Sequence, residues 1–482
     1  MSGEAGCRWG LWTRTGGLFL GPGVFAVLVA LPAPAGLAPA GWATAALACW
    51  MAIWWASAAV ALGATALLPL LLLPLLGVAD VAGAAAPYAN PLIFLFLGGF
   101  FIALAMQRWG LHRRIALNVI RCVGSRPYRL VAGTMLATAL LSMWISNTAT
   151  AMMMLPIAAS LVAVAGEGDA ADRERRNFAT ALMLGVAYGA SIGGLGTLIG
   201  SPPNALLASF MAQTYGRTVG FASWMLIGLP VALALLPLAW LVLVRLAFPF
   251  PNWRPTTGGD VIAEALHAMG RITPAERRVA TVFALVAAAW MLNPAVSAWL
   301  GRAPVSDTSI AVAGAVLLFA LPADWRRREF LLNWDWARQA PWEVLLLFGG
   351  GLSLARAIDE TGLAAWIGAG LGLAAGWPVL LLVGATVLLV IGLTEITSNT
   401  ATIVAFLPVV GALASSLGLD PMLLAAPAAL AASCAFMLPV ATPPNAIVYA
   451  SGHVGVGQMV HAGLLMNLAG LAVITTAAWL LF

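Results

Sequence analysis

The chain has 482 residues, of which 62% are hydrophobic and only 9% charged, and its mean hydropathy is +0.96. So little charge cannot cover a soluble protein of this length, so the chain reads as an all-α polytopic membrane protein. All 23 basic residues are arginines in short segments between apolar runs, so the pI near 9.4 marks membrane topology, not nucleic-acid binding.

Arg8 and Arg14 precede an apolar run at 16–31, and small residues follow at 33–35. That pattern fits a cleaved secretory signal or an uncleaved first membrane helix; the expectation is the helix. Further spans of about 20 residues are predicted near 40–58, 62–79 and 90–106. The tract 130–165 differs, being apolar on both sides of Ser146-Asn147-Thr148. A span interrupted by Ser201-Pro202-Pro203-Asn204 follows at 178–210, then spans at 223–247, 279–299, 307–322 and 342–358. A second interrupted tract, 377–417, turns at Ser398-Asn399-Thr400. The chain then runs through 421–450, which contains Thr442-Pro443-Pro444-Asn445, and 458–482.

The arms of the first tract, 130–145 and 149–165, have 16 and 17 residues, roughly 24–26 Å of helix, short of a hydrocarbon core about 30 Å thick. The expectation is two re-entrant hairpins with tips near mid-membrane; the alternative is pairs of short spans with the polar turn outside. Arginine placement orients the chain. With a cytoplasmic N-terminus, all the arginines but Arg217, Arg302 and Arg356 fall on the cytoplasmic side, including Arg108, Arg254, Arg271, Arg338 and the run Arg326-Arg327-Arg328. The chain is therefore expected in the cell's inner membrane.

The two halves repeat. Residues 146–150 and 398–402 both read Ser-Asn-Thr-Ala-Thr, an offset of 252 residues. The same offset carries Phe96-Leu97-Gly98-Gly99 onto Phe348-Gly349-Gly350-Gly351, Gly110-Leu111 onto Gly362-Leu363, and Leu155-Pro156 onto Leu407-Pro408. The Pro-Pro-Asn pair shifts to an offset of 241 because the first half carries a longer charged loop around Glu167 and Arg176. The span at 90–106 runs outside to inside and its counterpart at 342–358 inside to outside, so the repeats are expected to be inverted. Polar breaks at matching places in inverted halves are the pattern of a secondary transporter with a central site.

A helix that breaks at Ser-Asn-Thr exposes carbonyls at one end and amides at the next start. The carbonyls, with Ser, Thr and Asn oxygens, suit a monovalent cation such as Na⁺; the amides suit an anionic oxygen. Paired prolines interrupt the facing helices, freeing carbonyls near Gly200 and Ala441 for a cation and the Ser201 and Thr442 hydroxyls for a substrate. No Arg, Lys or His lies in these four segments. A multiply charged anion at that depth then needs co-bound cations as its counter-charge.

Other polar residues carry less. Glu395 suits a cation contact or a cap, and Arg356 and Asp359 stand at i, i+3 and can pair. Trp54, Trp55, Trp334, Trp336 and Trp342 are expected in the interfacial belt, and His453 and His461 have no role. Cys7, Cys49, Cys122 and Cys434 lack metal or disulfide spacing and are expected to be free.

With Ser-Asn-Thr and Pro-Pro-Asn in both halves, Trp54-Trp55, and Thr-Ala-Leu-Leu-Pro at 65–69, nearly the whole chain resembles the divalent anion/sodium symporter family. The resemblance implies a homodimer of about eleven membrane helices plus two hairpins, with a scaffold and an elevator-type transport domain. Mapped on this chain, residues 1–129 and 249–376 are scaffold, including a cytoplasmic loop, and residues 130–248 and 377–482 form the two halves of the transport domain. It implies one sodium site at Ser142, Ser146, Asn147 and Gly200 and a second at Thr394, Thr397, Ser398, Asn399 and Ala441. Carboxylate contacts map to Asn147, Thr148, Ser201, Asn399, Thr400 and Thr442. One departure is Ala58 and Ala61, where the family often has an acid and a proline.

The function expected is sodium-coupled uptake of a dicarboxylate such as succinate, with Na⁺ as co-transported ion, no organic cofactor, and a small anion and the bilayer as partners. The alternatives are a sodium-independent dicarboxylate exchanger, a citrate or sulfate symporter of the same fold, and, from another class, an ion channel. An enzyme is not expected, because no metal-binding His motif, nucleophile–base pair or phosphate loop stands at membrane depth.

Overall fold

The computed structural model describes residues 2–163, 172–250, 258–301, 305–370 and 376–482; Glu167, Arg254 and Arg302 lie outside them. The chain is mostly helical, and among the described residues the strands are one short antiparallel pair, Pro322–Asp324 with Glu329–Phe330. Five described stretches are long and apolar enough to cross a membrane: Val81–Arg108, Phe221–Ala247, Pro274–Leu300, Asn399–Ser416 and Val456–Leu481. Shorter apolar helices, including Asn147–Ala163, Val379–Thr394 and Met422–Ala432, have 10–17 residues. At 1.5 Å per residue they fall short of a core about 30 Å thick.

Both interrupted tracts fold as helix–turn–helix units. Helix Pro127–Ser142 stops, residues 143–146 turn, and helix Asn147–Ala163 begins. Helix Val379–Thr394 stops, residues 395–398 turn, and helix Asn399–Ser416 begins. The spans carrying Pro-Pro-Asn are broken as expected. Helix Asp172–Gly194 gives way to Pro202–Tyr215 after residues 195–201, and Met422–Ala432 to Pro443–Ala450 after residues 433–442. Each second piece starts on the proline pair, where the missing N–H has no intrahelical partner to lose.

Glycine lets these pieces approach. Helix Asp172–Gly194 packs on Pro127–Ser142 so closely that a Cβ on Gly193 would sit 2.3 Å from the Ala139 carbonyl oxygen. The repeated Gly-Gly pairs serve the same end: a Cβ on Gly98 would meet the Ala311 backbone at 2.7 Å, and one on Gly350 the Ala66 carbonyl at 2.2 Å.

Several expectations change. The span expected at 62–79 is not one helix; it splits into Leu62–Thr65 and Leu68–Leu75, because Pro69 interrupts the ladder between them, and Gly77 turns at φ +69° after the second piece. The arginine-rich stretch after Arg108 contains an amphipathic helix, Leu111–Val123, that buries Leu111, Ala116, Leu117 and Ile120. Its Arg114 reaches the buried Glu276 at 2.5 Å. Arg356 pairs with Glu360 at 2.7 Å, one helical turn away, in place of Asp359. Trp55 is buried, its indole N–H donating to the Leu62 carbonyl, so it belongs to the core and not to an interfacial belt. Cys49, Cys122 and Cys434 are free.

Candidate functional site

Each turn is capped by its own serine. The Ser146 hydroxyl accepts from the Ala149 amide at 3.4 Å and the Ser398 hydroxyl from the Ala401 amide at 3.1 Å. The turn is thus a helix N-terminus with its cap supplied locally. Thr397 Oγ1 is occupied within its own tip, 2.9 Å from the Leu393 carbonyl and 2.5 Å from Thr402 Oγ1.

Behind each tip lies a cluster of oxygens. Ser142 Oγ is 2.7 Å from both Asn147 Oδ1 and the Ala190 carbonyl. In the second half, Thr394 Oγ1 is 2.8 Å from both Asn399 Oδ1 and the Ala432 carbonyl. A hydroxyl has one proton to donate, so with the carboxamide oxygen turned inward each cluster holds more acceptors than donors. The first is the richer. Around the Asn147 Oδ1 position stand Ser142 Oγ at 2.7 Å, the Gly200 carbonyl at 3.1 Å and the Ala190 carbonyl at 3.2 Å. Either the carboxamide turns to present its NH₂, or a cation sits among the oxygens. The donor set of hydroxyl, carboxamide and backbone carbonyls, with no thiolate or imidazole, suits a hard cation.

The Pro-Pro-Asn asparagines brace the broken stretches in matching ways. Asn204 Nδ2 donates to the Gly194 carbonyl at 2.9 Å and the Thr197 carbonyl at 2.8 Å. Asn445 Nδ2 donates to the Ala435 carbonyl at 3.1 Å and the Leu438 carbonyl at 3.0 Å. Both residues are fully buried. They supply donors for carbonyls freed where the helix unwinds, which would otherwise be costly to bury. Ser201 Oγ lies 2.8 Å from Ser433 Oγ, and Thr442 Oγ1 accepts from the Asn445 amide at 3.3 Å.

All four motifs meet in one cavity of about 480 Å³. It is lined by Ser146, Asn147, Thr148, Gly200 and Ser201 from the first half and Ser398, Asn399, Thr400, Ala441 and Thr442 from the second. Ser142 and Thr394 are fully buried behind this wall, and Thr397 is not among the lining residues. The rest of the lining is an apolar wall that includes Leu62, Phe96, Phe100, Ala103 and Leu104, interrupted by the polar side chains of Gln107 and Gln339. Among the described residues, no arginine, histidine, aspartate or glutamate lines the cavity.

Sequence reasoning missed several of these residues. Gly194 packs so near the first tip that a Cβ there would lie 2.6 Å from Asn147 Oδ1, and one on Gly200 would meet the Gly194 carbonyl oxygen at 2.7 Å. The glycines at 193, 194, 196 and 200 were the available signal, since so many before a proline pair indicate close backbone approach. Ala190 and Ala432 contribute only carbonyls and carried no signal. Glu395 is a cap: its carboxylate accepts from the amides of Phe436, Met437 and Leu438 at 2.8–3.2 Å and from Asn467 Nδ2 at 2.7 Å. It anchors the second unwound stretch and the last helix together. At the repeat-equivalent place the first half has Met143.

Solved structures share this fold at low sequence identity. The *Alcanivorax borkumensis* YdaH transporter superposes with a TM-score of 0.56 at 16% identity, covering 83% of this chain and 87% of its own. *Neisseria gonorrhoeae* MtrF, described as one of a class of antimetabolite efflux pumps, gives 0.56 at 15% identity, with 84% of each chain covered. Curated relatives are nearer in sequence. A sodium-dependent dicarboxylate transporter, SdcS, of *Staphylococcus saprophyticus* is 41% identical over 402 residues, 82% of this chain and 78% of the relative. The *Staphylococcus aureus* SdcS is 40% identical over 395 residues, 81% of this chain and 76% of the relative. Residues 14–482 match the sodium:sulfate symporter transmembrane region, so the chain belongs to that family of membrane symporters.

Proposed function

We propose that the protein couples the entry of sodium ions to uptake of a C4-dicarboxylate such as succinate. The observation that carries this reading is the meeting of both tips and both Pro-Pro-Asn segments in one cavity that no fixed positive charge lines among the described residues. A dianion held there needs its counter-charge delivered with it, because unpaired charge away from water costs several kcal/mol or more. The two oxygen clusters behind the tips are where cations fit. One sodium ion is held by Ser142, Ser146, Asn147 and Gly200, and the other by Thr394, Thr397, Ser398, Asn399 and Ala441, in part through backbone carbonyls. The helix-start amides and side chains of Asn147, Thr148, Asn399 and Thr400, with Ser201 and Thr442, receive the carboxylates. The dicarboxylate names of the two staphylococcal relatives support the substrate class.

Alternation follows from the apolar wall. Residues 130–248 and 377–482 move as one transport body, with the helix–turn–helix units as re-entrant hairpins of inverted repeats. Residues 1–129 and 249–376 are the fixed scaffold of a homodimer in the cytoplasmic membrane, with the N-terminus inside. Phe96, Phe100 and Leu104 offer no hydrogen bond to a passing polar tip, so little has to be broken as the tips slide.

The test is uptake of labelled succinate into proteoliposomes under an inward sodium gradient, with choline replacing sodium in a parallel set and citrate and sulfate as competitors. Uptake should require sodium and be competed best by other C4-dicarboxylates. Equal uptake in choline would refute the coupling, and stronger competition by citrate or sulfate would reassign the substrate.

A further inference from the structure

Outside the tips and Pro-Pro-Asn segments, the cavity wall carries two primary amides, Gln107 and Gln339, and otherwise apolar side chains. Neither amide has a hydrogen-bond partner among the described residues. Gln107 is the penultimate residue of helix Pro91–Arg108, and Gln339 is exposed just after the short helix Trp334–Ala337. The next residue, Arg108, bonds to Glu329 and to the Phe330 carbonyl at the surface. Gln107 and Gln339 therefore line the cavity one residue away from Arg108 and Arg338, beside the segment that carries Arg326, Arg327 and Arg328.

The repeat supplies a contrast. The residue equivalent to Gln107, 252 positions on, is Asp359. Asp359 lines a different cavity, of about 490 Å³, together with Asn90, Gln213 and Thr214, and no tip residue lines that one. Equivalent helix ends thus present an amide in one cavity and a carboxylate in the other.

We infer that Gln107 and Gln339 form a release subsite, which takes one substrate carboxylate as the dianion leaves the tips toward the arginine-bearing face. The inference rests on the dicarboxylate reading above. Each amide offers two N–H donors and no net charge. An arginine there would hold the dianion in a strong bidentate pair and slow its exit, and an acid would repel it. A neutral donor gives the leaving carboxylate a hydrogen bond worth about ten-fold or more in affinity, without the full counter-charge of an arginine. The pair acts only when the cavity opens at this end, so its effect is one-sided.

The experiment compares sodium-driven succinate transport in right-side-out and inside-out membrane vesicles, with the native chain and the double variant Gln107→Leu/Gln339→Leu. Leucine keeps the bulk and removes the donors. The half-saturating succinate at the arginine-bearing face should rise about ten-fold or more, while that at the other face shifts less than about two-fold and the unfolding temperature is retained. The single variant Gln107→Glu should weaken the same face further, by repulsion. Equal shifts at both faces, a shift only at the opposite face, or no shift at all would overturn the subsite. Absence of sodium-driven succinate transport by the native chain would instead count against the dicarboxylate reading itself.

Discussion

Phe96 and Phe348, equivalent residues of the sequence repeat, touch each other edge to face with ring centroids 5.2 Å apart and planes at 81°. Two equivalent residues meet only where the halves themselves meet. Phe96 also lines the cavity, so the contact ties the seam between the halves to the wall of the site.

The glycines beside these rings set how closely the helices approach. A Cβ on Gly350 would lie 2.2 Å from the Ala66 carbonyl oxygen, whereas one on Gly392 meets nothing within 4 Å. Gly350→Ala should destabilise the protein by about 1–3 kcal/mol. Gly392→Ala, in an exposed helical position, should be neutral or stabilise it by a few tenths to about 1 kcal/mol. Thermal unfolding in detergent separates them, and equal melting temperatures would contradict the packing.

Asn147 and Asn399 join the oxygen clusters to the cavity wall. Replacing either by alanine should reduce sodium-driven succinate uptake to the level of empty liposomes, while size-exclusion elution stays that of the native chain. Full uptake by both variants would refute the assignment of the tips.

Ser142 and Thr394 lie behind the wall and do not line it, so they should affect the cations first. Ser142→Ala or Thr394→Val removes one oxygen ligand and keeps most of the volume. The half-saturating sodium concentration should rise about ten-fold or more, the scale of a lost hydrogen bond to a charged group. A variant altering succinate affinity at saturating sodium, with sodium dependence intact, would place the hydroxyl on the substrate.

Glu395 gathers three backbone amides and the Asn467 carboxamide. Glu395→Ala strands those donors in a buried place, at about 1–3 kcal/mol for each left unpaired. Melting temperature should fall by several degrees and uptake should be lost. Met143→Ala, at the equivalent place in the first half, should be much milder because no amide depends on its side chain. Comparable losses in the two variants would argue against the capping role.

Ala58 ends helix Pro39–Ser57 at φ +47°, a left-handed conformation that costs an L-residue roughly 1–2 kcal/mol. Ala58→Gly should therefore raise the melting temperature. A lower melting temperature for the glycine variant would refute the strain.

Much of this was legible before any coordinates. The turns at Ser146-Asn147-Thr148 and Ser398-Asn399-Thr400 and the breaks at the two proline pairs follow from local chemistry, since proline removes a donor and the Ser and Asn side chains cap helix starts. The same rules, pressed too far, gave one span at 62–79, where Pro69 divides the helix. The pairing of Arg356 with Glu360 and the burial of Trp55 were misread because several partners were available at allowed spacings and only packing selects among them.

Composition and spacing alone determined the membrane class, the two-fold duplication and the positions of the broken helices, because those properties depend on a residue and its near neighbours along the chain. Only the tertiary structure decided that Ala190 and Gly200 surround the Asn147 carboxamide, that Glu395 holds the amides of a segment some forty residues away, and that Gln107 and Gln339 line the shared cavity. A carbonyl has no sequence signature. Which carbonyl or amide it faces depends on how closely glycine lets two distant backbones come together, and local spacing carries no record of that approach.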